Sequence, residues 1–348
     1  MLRNRQFNSL ISTLSRSCIP YHCRAESIHL DGNLCELLNR SKERVDGSLK
    51  LYGSERMQKR DVKYTEIGKV KTRYTEKGKG EPLILIHGGY VGQNSTFFCW
   101  DHNFDRLAEE YHVVAFDKLG MGFTDNPPEK GPFTTAATTK HAYDFLKSLK
   151  LDKVHIVAHS RGGLTAIRLA LEYPDFVRSM TLIDSGSVAP DNPPRIVDFY
   201  KDLENSIKDL PTREAIVSRT IGNSYSKDHI TDLWIDDLVE AYNLPKSIEA
   251  KKRTSGLGSL DTMPDTREQR ADTNKQVAAG KLKAPTLLFW GYNDPSALVE
   301  RGINLYRQMC ETVPRVQMHV FNHAGHYSFR EHPVAFNETL LGFLKSVK

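Results

Sequence analysis

The stretch Asp152-Lys153-Val154-His155-Ile156-Val157-Ala158-His159-Ser160-Arg161-Gly162-Gly163 changes its periodicity at one residue. Val154 to Val157 is a short apolar run rich in β-branched side chains, whereas Leu164, Ile167 and Leu171 recur at helical spacing. The spacing therefore predicts a buried strand, a sharp turn at Ser160 and a helix. A serine on such a turn exposes its hydroxyl, and the turn closes only when the residues two positions to either side are small, as in Gly-x-Ser-x-Gly. Here those positions hold Ala158 and Gly162.

Outward from this turn, strand and helix patterns alternate. On the N-terminal side, Val62 to Ile67 and Val70 to Tyr74 read as a hairpin around Gly68, and Pro82 to Ile86 as a central strand ending in His87-Gly88-Gly89. A helix over Phe98 to Tyr111, a strand over His112 to Phe116, a loop from Asp117 to Asp125 and a helix through Ala142, Phe145, Leu146 and Leu149 follow. On the C-terminal side come a strand over Ser179 to Ile183, another over Pro285 to Trp290, a helix near Ala297 to Cys310, a strand over Val316 to Phe321 and a helix from Pro333. Such alternation predicts a mostly parallel sheet covered by helices on both faces. The core is expected over 61–186 and 284–348. Residues 187–283 interrupt it with a proline-rich stretch, Pro190 to Pro194, and charged amphipathic segments broken at Pro211, Gly222 and Pro245. A helical insertion at the strand ends where ligands bind reads as a lid.

An alcohol is a weak nucleophile at neutral pH, so Ser160 would need an imidazole base, and the imidazole a carboxylate to fix its tautomer. Asp294 follows the strand ending Leu288-Phe289-Trp290-Gly291, and His326 lies in His323-Ala324-Gly325-His326-Tyr327 after the last strand. The order Ser160, Asp294, His326 differs from both common serine-protease orders. Asp184, at the end of the preceding strand, is the rival acid, and His323 the rival base. Donors for a developing oxyanion are expected from the backbone amides of Gly89 and Arg161, with Gly88, Tyr90 and His159 placed to contact substrate. The glycines and Thr124 of the Asp117 to Asp125 loop read as turn residues that shape the core and pocket mouth.

Composition narrows the function classes. The chain has 348 residues and a formal net charge of +5. Residues 1–80 carry 17 Lys+Arg against 9 Asp+Glu, leaving 31 against 34, a net of −3, for the remainder. The basic excess thus belongs to the N-terminal segment, and no nucleic-acid-binding face is expected on the body. The five cysteines, Cys18, Cys23, Cys35, Cys99 and Cys310, show no metal-ligand spacing, so free thiols in a reducing compartment and no metal site are expected. No apolar run is long enough to span a bilayer. Residues 1–60 read as an N-terminal extension. Within it, residues 1–24 hold four arginines, four serines and no acid, with Phe7, Leu10, Ile11 and Leu14 on one helical face. A mitochondrial transit peptide has this composition; the alternatives are a mobile tail ahead of a cytoplasmic protein, or an upstream start codon with Met57 opening the working protein.

From about Asp61 onward the sequence resembles the α/β-hydrolase family, and within it the meta-cleavage product hydrolases, which cleave a carbon–carbon bond in vinylogous 1,5-diketones. The resemblance rests on the Asp117 to Asp125 loop, the Ala158 to Gly163 turn, Trp290 to Asp294, the tail from His319 through His326 to Pro333, and the lid segments Pro211 to Glu214 and Asp228 to Thr231. It implies the α/β-hydrolase fold with a helical lid, a Ser160-His326-Asp294 triad, no cofactor, and a small-molecule substrate with an apolar acyl or aromatic portion. The chain departs from the subgroup at Tyr90-Val91-Gly92-Gln93, at His159 in place of an asparagine, and near Leu238, where the family carries an arginine for the substrate carboxylate. Arg161, Arg195 and Arg219 are candidate substitutes for that arginine. Serine at the turn argues against haloalkane dehalogenase and epoxide hydrolase chemistry, which need a carboxylate there. A carboxylic ester substrate, a carbon–carbon substrate and a non-catalytic small-molecule receptor all remain open, as does a homo-oligomer.

Overall fold

The computed structural model describes residues 61–91, 95–128, 131, 133–190, 212–254 and 263–347. The expected N-terminal extension 1–60, Gly92, Gln93, the Asp191 to Pro194 stretch, Arg195 and Pro211 lie outside the described residues. Eight strands form one sheet: β1 Lys63–Ile67, β2 Val70–Lys77, β3 Pro82–Ile86, β4 His112–Phe116, β5 Val154–His159, β6 Val177–Ile183, β7 Thr286–Gly291 and β8 Val316–Phe321. Their spatial order is β1-β2-β4-β3-β5-β6-β7-β8. β1 and β2 pair antiparallel, β2 adds antiparallel to β4, and every other pairing is parallel. The sequence therefore places the strands closely; the hairpin's second strand runs three residues further, where Lys77 still pairs with Val113.

The strands are apolar on both faces because helices cover both. Along β3, Leu83 and Leu85 fall in one buried cluster and Ile84 and Ile86 in the other, the two-residue period of a pleated strand. The chain leaves β3 for β4 on one side and returns to β5 on the other. This reversal opens a crevice at the strand ends, where His87 and Ser160 emerge, and ligands of open α/β sheets bind at such a switch point.

The helices, in chain order, are α1 Phe104–Ala108, α2 Thr135–Ser148, α3 Gly162–Glu172, α4 Arg213–Gly222, α5 Asp232–Tyr242, α6 Pro245–Arg253, α7 Thr266–Ala278, α8 Val299–Cys310, α9 Ser328–Glu331 and α10 Pro333–Ser346. One expectation changes here. The single helix over Phe98 to Tyr111 is instead a 3-10 turn, Phe97–Trp100, followed by the short α1. Asn103 breaks it by turning inward, its amide donating to the Phe329 carbonyl and Asn337 Oδ1, both at 3.0 Å. α7 packs on α2, α3 and α8, and Val277 and Leu282 join the buried cluster of Ile156, Ala158 and Leu182. This makes α7 a sheet-covering helix.

α4 and α5 each start on a threonine whose hydroxyl accepts an amide of the first turn, Thr212 from Ala215 and Thr231 from Trp234, both at 3.3 Å. Two buried ionic clamps fasten this segment to the core. Asp237 of α5 takes Arg73 of β2 at 2.7 Å, and the same guanidinium reaches Asp117 at 3.2 Å between the rings of Phe97 and Phe123. In the second clamp, Arg330 donates to Asp101 and the Cys99 carbonyl, both at 2.5 Å, and to the His229 carbonyl at 2.8 Å, while Thr231 also donates to Asp101. A charge this deep is held only by full pairing, so each clamp fixes a position rather than adding much net stability.

Candidate active site

Ser160 sits where β5, buried along its whole length, turns into α3. Its φ of +50° is a left-handed conformation that an L-residue adopts only under constraint. The constraints are visible: the Ser160 amide donates to the Ile183 carbonyl at 2.8 Å, and its own carbonyl accepts from Gly163 at 2.9 Å. A Cβ at Gly162 would lie 2.6 Å from the His87 carbonyl oxygen, so the β3 loop and α3 can approach only across a glycine.

His326 stands between the serine and a carboxylate. Its Nε2 lies 2.9 Å from Ser160 Oγ and its Nδ1 2.7 Å from Asp294 Oδ2. The other oxygen of Asp294 accepts from the Ser296 amide, the Ser296 hydroxyl and the Ala297 amide at 2.8 to 2.9 Å, which fixes the carboxylate in the turn after β7. Burial works against a charged His326 imidazole. The charge and hydrogen bond of Asp294 outweigh it and hold the pKa above the ordinary value.

The two rivals fall elsewhere. Asp184 is fully buried and makes no bond to His326; it accepts from the Gly291 amide and the Ser328 hydroxyl, both at 2.7 Å. Burial and the negative charge of Asp294 push its pKa well up. His323 lies in the exposed turn, its ring stacked on Tyr225.

The loop after β3 lies against the serine. A Cβ on Gly88 would come 2.9 Å from Ser160 Cβ, and Gly89 has a φ of +69°. The Gly88 carbonyl accepts from His87 Nδ1 at 2.8 Å, and the Gly89 carbonyl from Lys118 Nζ at 3.3 Å. These bonds set the peptide planes of the loop. Tyr90 is buried and stacks under the Arg161 guanidinium, 4.3 Å from its centroid. His159 is buried, and its Nε2 donates to the His326 carbonyl at 2.7 Å, tying the turn to the histidine loop. Burial and the neighbouring His326 hold His159 well below the usual imidazole range, so it stays neutral.

Two cavities meet at this point, and Ser160, Arg161 and His326 line both. One is walled by Tyr90, Ile216, Trp234, Leu238, Tyr242 and Tyr327, and Arg219 also lines it. The other is walled by Lys118, Arg270 and Arg301 together with Asp184, Met263 and Ala297. Lys118 is almost wholly buried, and burial, then the charge of Arg161, push its amine down to about 7. No motif or spacing in the sequence singles out Lys118, Arg270 or Arg301. The one available signal for Lys118 was its place at the carboxyl end of a parallel strand. No group of three or more metal-ligating side chains occurs among the described residues.

The sequence pattern of the alpha/beta hydrolase fold matches residues 81–333. The chain belongs to the alpha/beta hydrolase family. Among family members, this hydrolase is 29% identical over 283 residues to the 2-hydroxy-6-oxo-6-(2'-aminophenyl)hexa-2,4-dienoic acid hydrolase of Metapseudomonas resinovorans, covering 81% of this chain and 90% of that protein. It is 26% identical over 292 residues to a 2-hydroxy-6-oxononadienedioate/2-hydroxy-6-oxononatrienedioate hydrolase of Paraburkholderia xenovorans, covering 80% and 91%. A solved meta-cleavage product hydrolase from Pseudomonas fluorescens, complexed with acetates, superposes with a TM-score of 0.67 at 26% identity, covering 82% of this hydrolase and 98% of that chain.

Proposed function

We propose that the chain is a cofactor-independent serine hydrolase of small carbonyl compounds. The observation that carries this reading is the His326 imidazole suspended between Asp294 and Ser160 at hydrogen-bond distance from each, with the serine on a constrained turn. His326 Nε2 takes the Ser160 proton as Oγ attacks the carbonyl carbon, and Asp294 stabilises the imidazolium that forms. The amides of Gly89 and Arg161 receive the oxyanion. His326 then returns the proton to the leaving group, an alcohol for an ester or the carbanion carbon for a diketone. A water deprotonated by the same imidazole hydrolyses the acyl-serine and releases a carboxylic acid.

The helices Arg213–Gly222 and Asp232–Tyr242 serve as the lid, and the aromatic cavity they close accepts the apolar portion of the substrate. Likeness to dienoate hydrolases favours the carbon–carbon bond of a meta-cleavage-type diketone; Leu238 in the wall of this cavity, where a carboxylate-binding arginine was expected, favours a carboxylic ester. Assaying a simple aryl ester against a yellow meta-cleavage dienoate separates them: bleaching of the dienoate at a rate matching or exceeding ester turnover supports carbon–carbon cleavage, and turnover of the ester alone rejects it. Full activity of Ser160→Ala on every substrate of the native chain would overturn the mechanism itself.

A further inference from the structure

Two hydrogen bonds aim the imidazole of His326, but the loop that carries the ring has to be held as well. Four of its backbone groups are bonded to other parts of the chain. The Ala324 carbonyl accepts from the Asn293 amide at 2.9 Å, and the Gly325 amide donates to Glu331 Oε1 at 2.8 Å. The His326 amide donates to the Asn223 carbonyl at 2.7 Å, and the His326 carbonyl accepts from His159 Nε2 at the same distance.

Glu331, the last residue of α9, reaches two loops at once. Its Oε2 accepts from the amides of Tyr225 at 2.9 Å and Ser226 at 2.8 Å, both in the loop after α4. There the two loops touch backbone to backbone: a Cβ on Gly325 would lie 2.6 Å from the Asn223 carbonyl oxygen and 2.8 Å from the Tyr225 nitrogen. Glu331 is half-buried, and among the described residues no Lys, Arg or His forms an ion pair with it. A carboxylate drawn out of water is costly unless other donors replace its hydration. Here three backbone amides replace it, and bonds of this charge-assisted kind are about twice as strong as neutral ones.

We propose that Glu331 is a positioning residue for the base: its carboxylate braces the His326 loop against the loop after α4 and so keeps the imidazole in line with Ser160. The role given to His326 rests on the hydrolase reading. Misplacing a reacting group by about 1 Å can cost on the order of 10²-fold in rate, so the brace acts on kcat more than on substrate affinity.

The test uses Glu331→Gln in the full chain, which keeps the shape of the side chain but leaves one oxygen for two loops and sets an amide NH2 against a backbone N–H. Active sites are counted by labelling Ser160 with a fluorophosphonate, and turnover of p-nitrophenyl acetate is expressed per labelled site, so unfolded protein drops out. With the loss of one to two charge-assisted hydrogen bonds, kcat per site should fall about tenfold while KM stays within about twofold of the native value. Glu331→Asp keeps the charge on a shorter stem and should fall between the two; it is measured in the same way should the glutamine variant not fold. The proton of the His326 Nδ1–Asp294 hydrogen bond gives a strongly deshielded NMR signal, which should shift or broaden in Glu331→Gln. A role in stability alone would lower the melting temperature and leave the per-site kcat and this signal at their native values. That result overturns the proposal, and so does a loss confined to KM. A native chain that turns over no ester overturns the hydrolase reading, whereas the proton signal tests the brace without turnover.

Discussion

The two cavities that meet at Ser160 are built from different parts of the chain. The aromatic one takes Ile216, Trp234, Leu238 and Tyr242 from α4 and α5, helices that reach the core through the Arg73–Asp237 and Arg330–His229 clamps. The cationic one takes its charges from loops at strand ends and from α7 and α8, which cover the sheet itself. Between them the serine, its base and the carboxylate all rise from strand ends. The difference teaches that chemistry and selectivity are held by separate structural means, so substitutions should separate them.

The largest effect falls on the triad between them. Asp294→Asn should lower kcat on the order of 10⁴-fold, because an amide cannot enforce the imidazole tautomer. Asp184→Asn should cost no more than a few-fold, since an amide imitates the neutral acid favoured there. Equal losses in ester hydrolysis for the two variants would break the distinction between the carboxylates.

Next in size is the clamp. Arg330→Ala leaves Asp101 buried without its partner and should destabilise the fold by about 3–5 kcal/mol, read from urea unfolding. Because the clamp holds the helical side, ligands of the aromatic cavity should also lose affinity in this variant.

A smaller, pH-dependent effect belongs to His326. Its base form is active and its pKa is raised, so kcat/KM should climb with pH through an inflection above the ordinary imidazole value near 6.5. An inflection at or below that value would mean Asp294 does not dominate the imidazole's environment.

The fourth expectation concerns the fold's acid limit. His141 and His229 are held by burial at about 4 and about 3, and burial also keeps His87 and His159 well below the ordinary imidazole value. A histidine whose folded pKa is depressed binds its proton only on unfolding, so stability is full above about pH 6.5 and falls as pH drops toward the folded values. The melting temperature should decline steadily from pH 6.5 to 5, and His229→Gln should flatten the decline. A flat profile over that range would contradict the neutral assignment.

Much of this site was legible in the sequence because its parts are local. A strand, a small residue, a serine and two glycines announce a constrained turn within a dozen positions, and Asp294 and His326 each follow a readable strand. The cationic wall and the clamps were not legible, because they join residues with no shared periodicity. Arg73 and Asp237 are 164 residues apart, and nothing in the polar pattern of either segment marks the other. The helix expected over Phe98 to Tyr111 failed for the same reason: apolar spacing suggested continuity, while the distant carbonyl of Phe329 drew Asn103 inward.

Arg330 carries a consequence for the order of folding. It bonds Cys99 and Asp101 across separations of 231 and 229 residues, and it reaches the His229 carbonyl across 101. Contacts this distant in sequence are costly to close and form after local structure. The wall of the aromatic cavity is thus completed only when the last strand and the helix after it are in place, so a chain still emerging from synthesis holds its serine long before it holds anything for that serine to select.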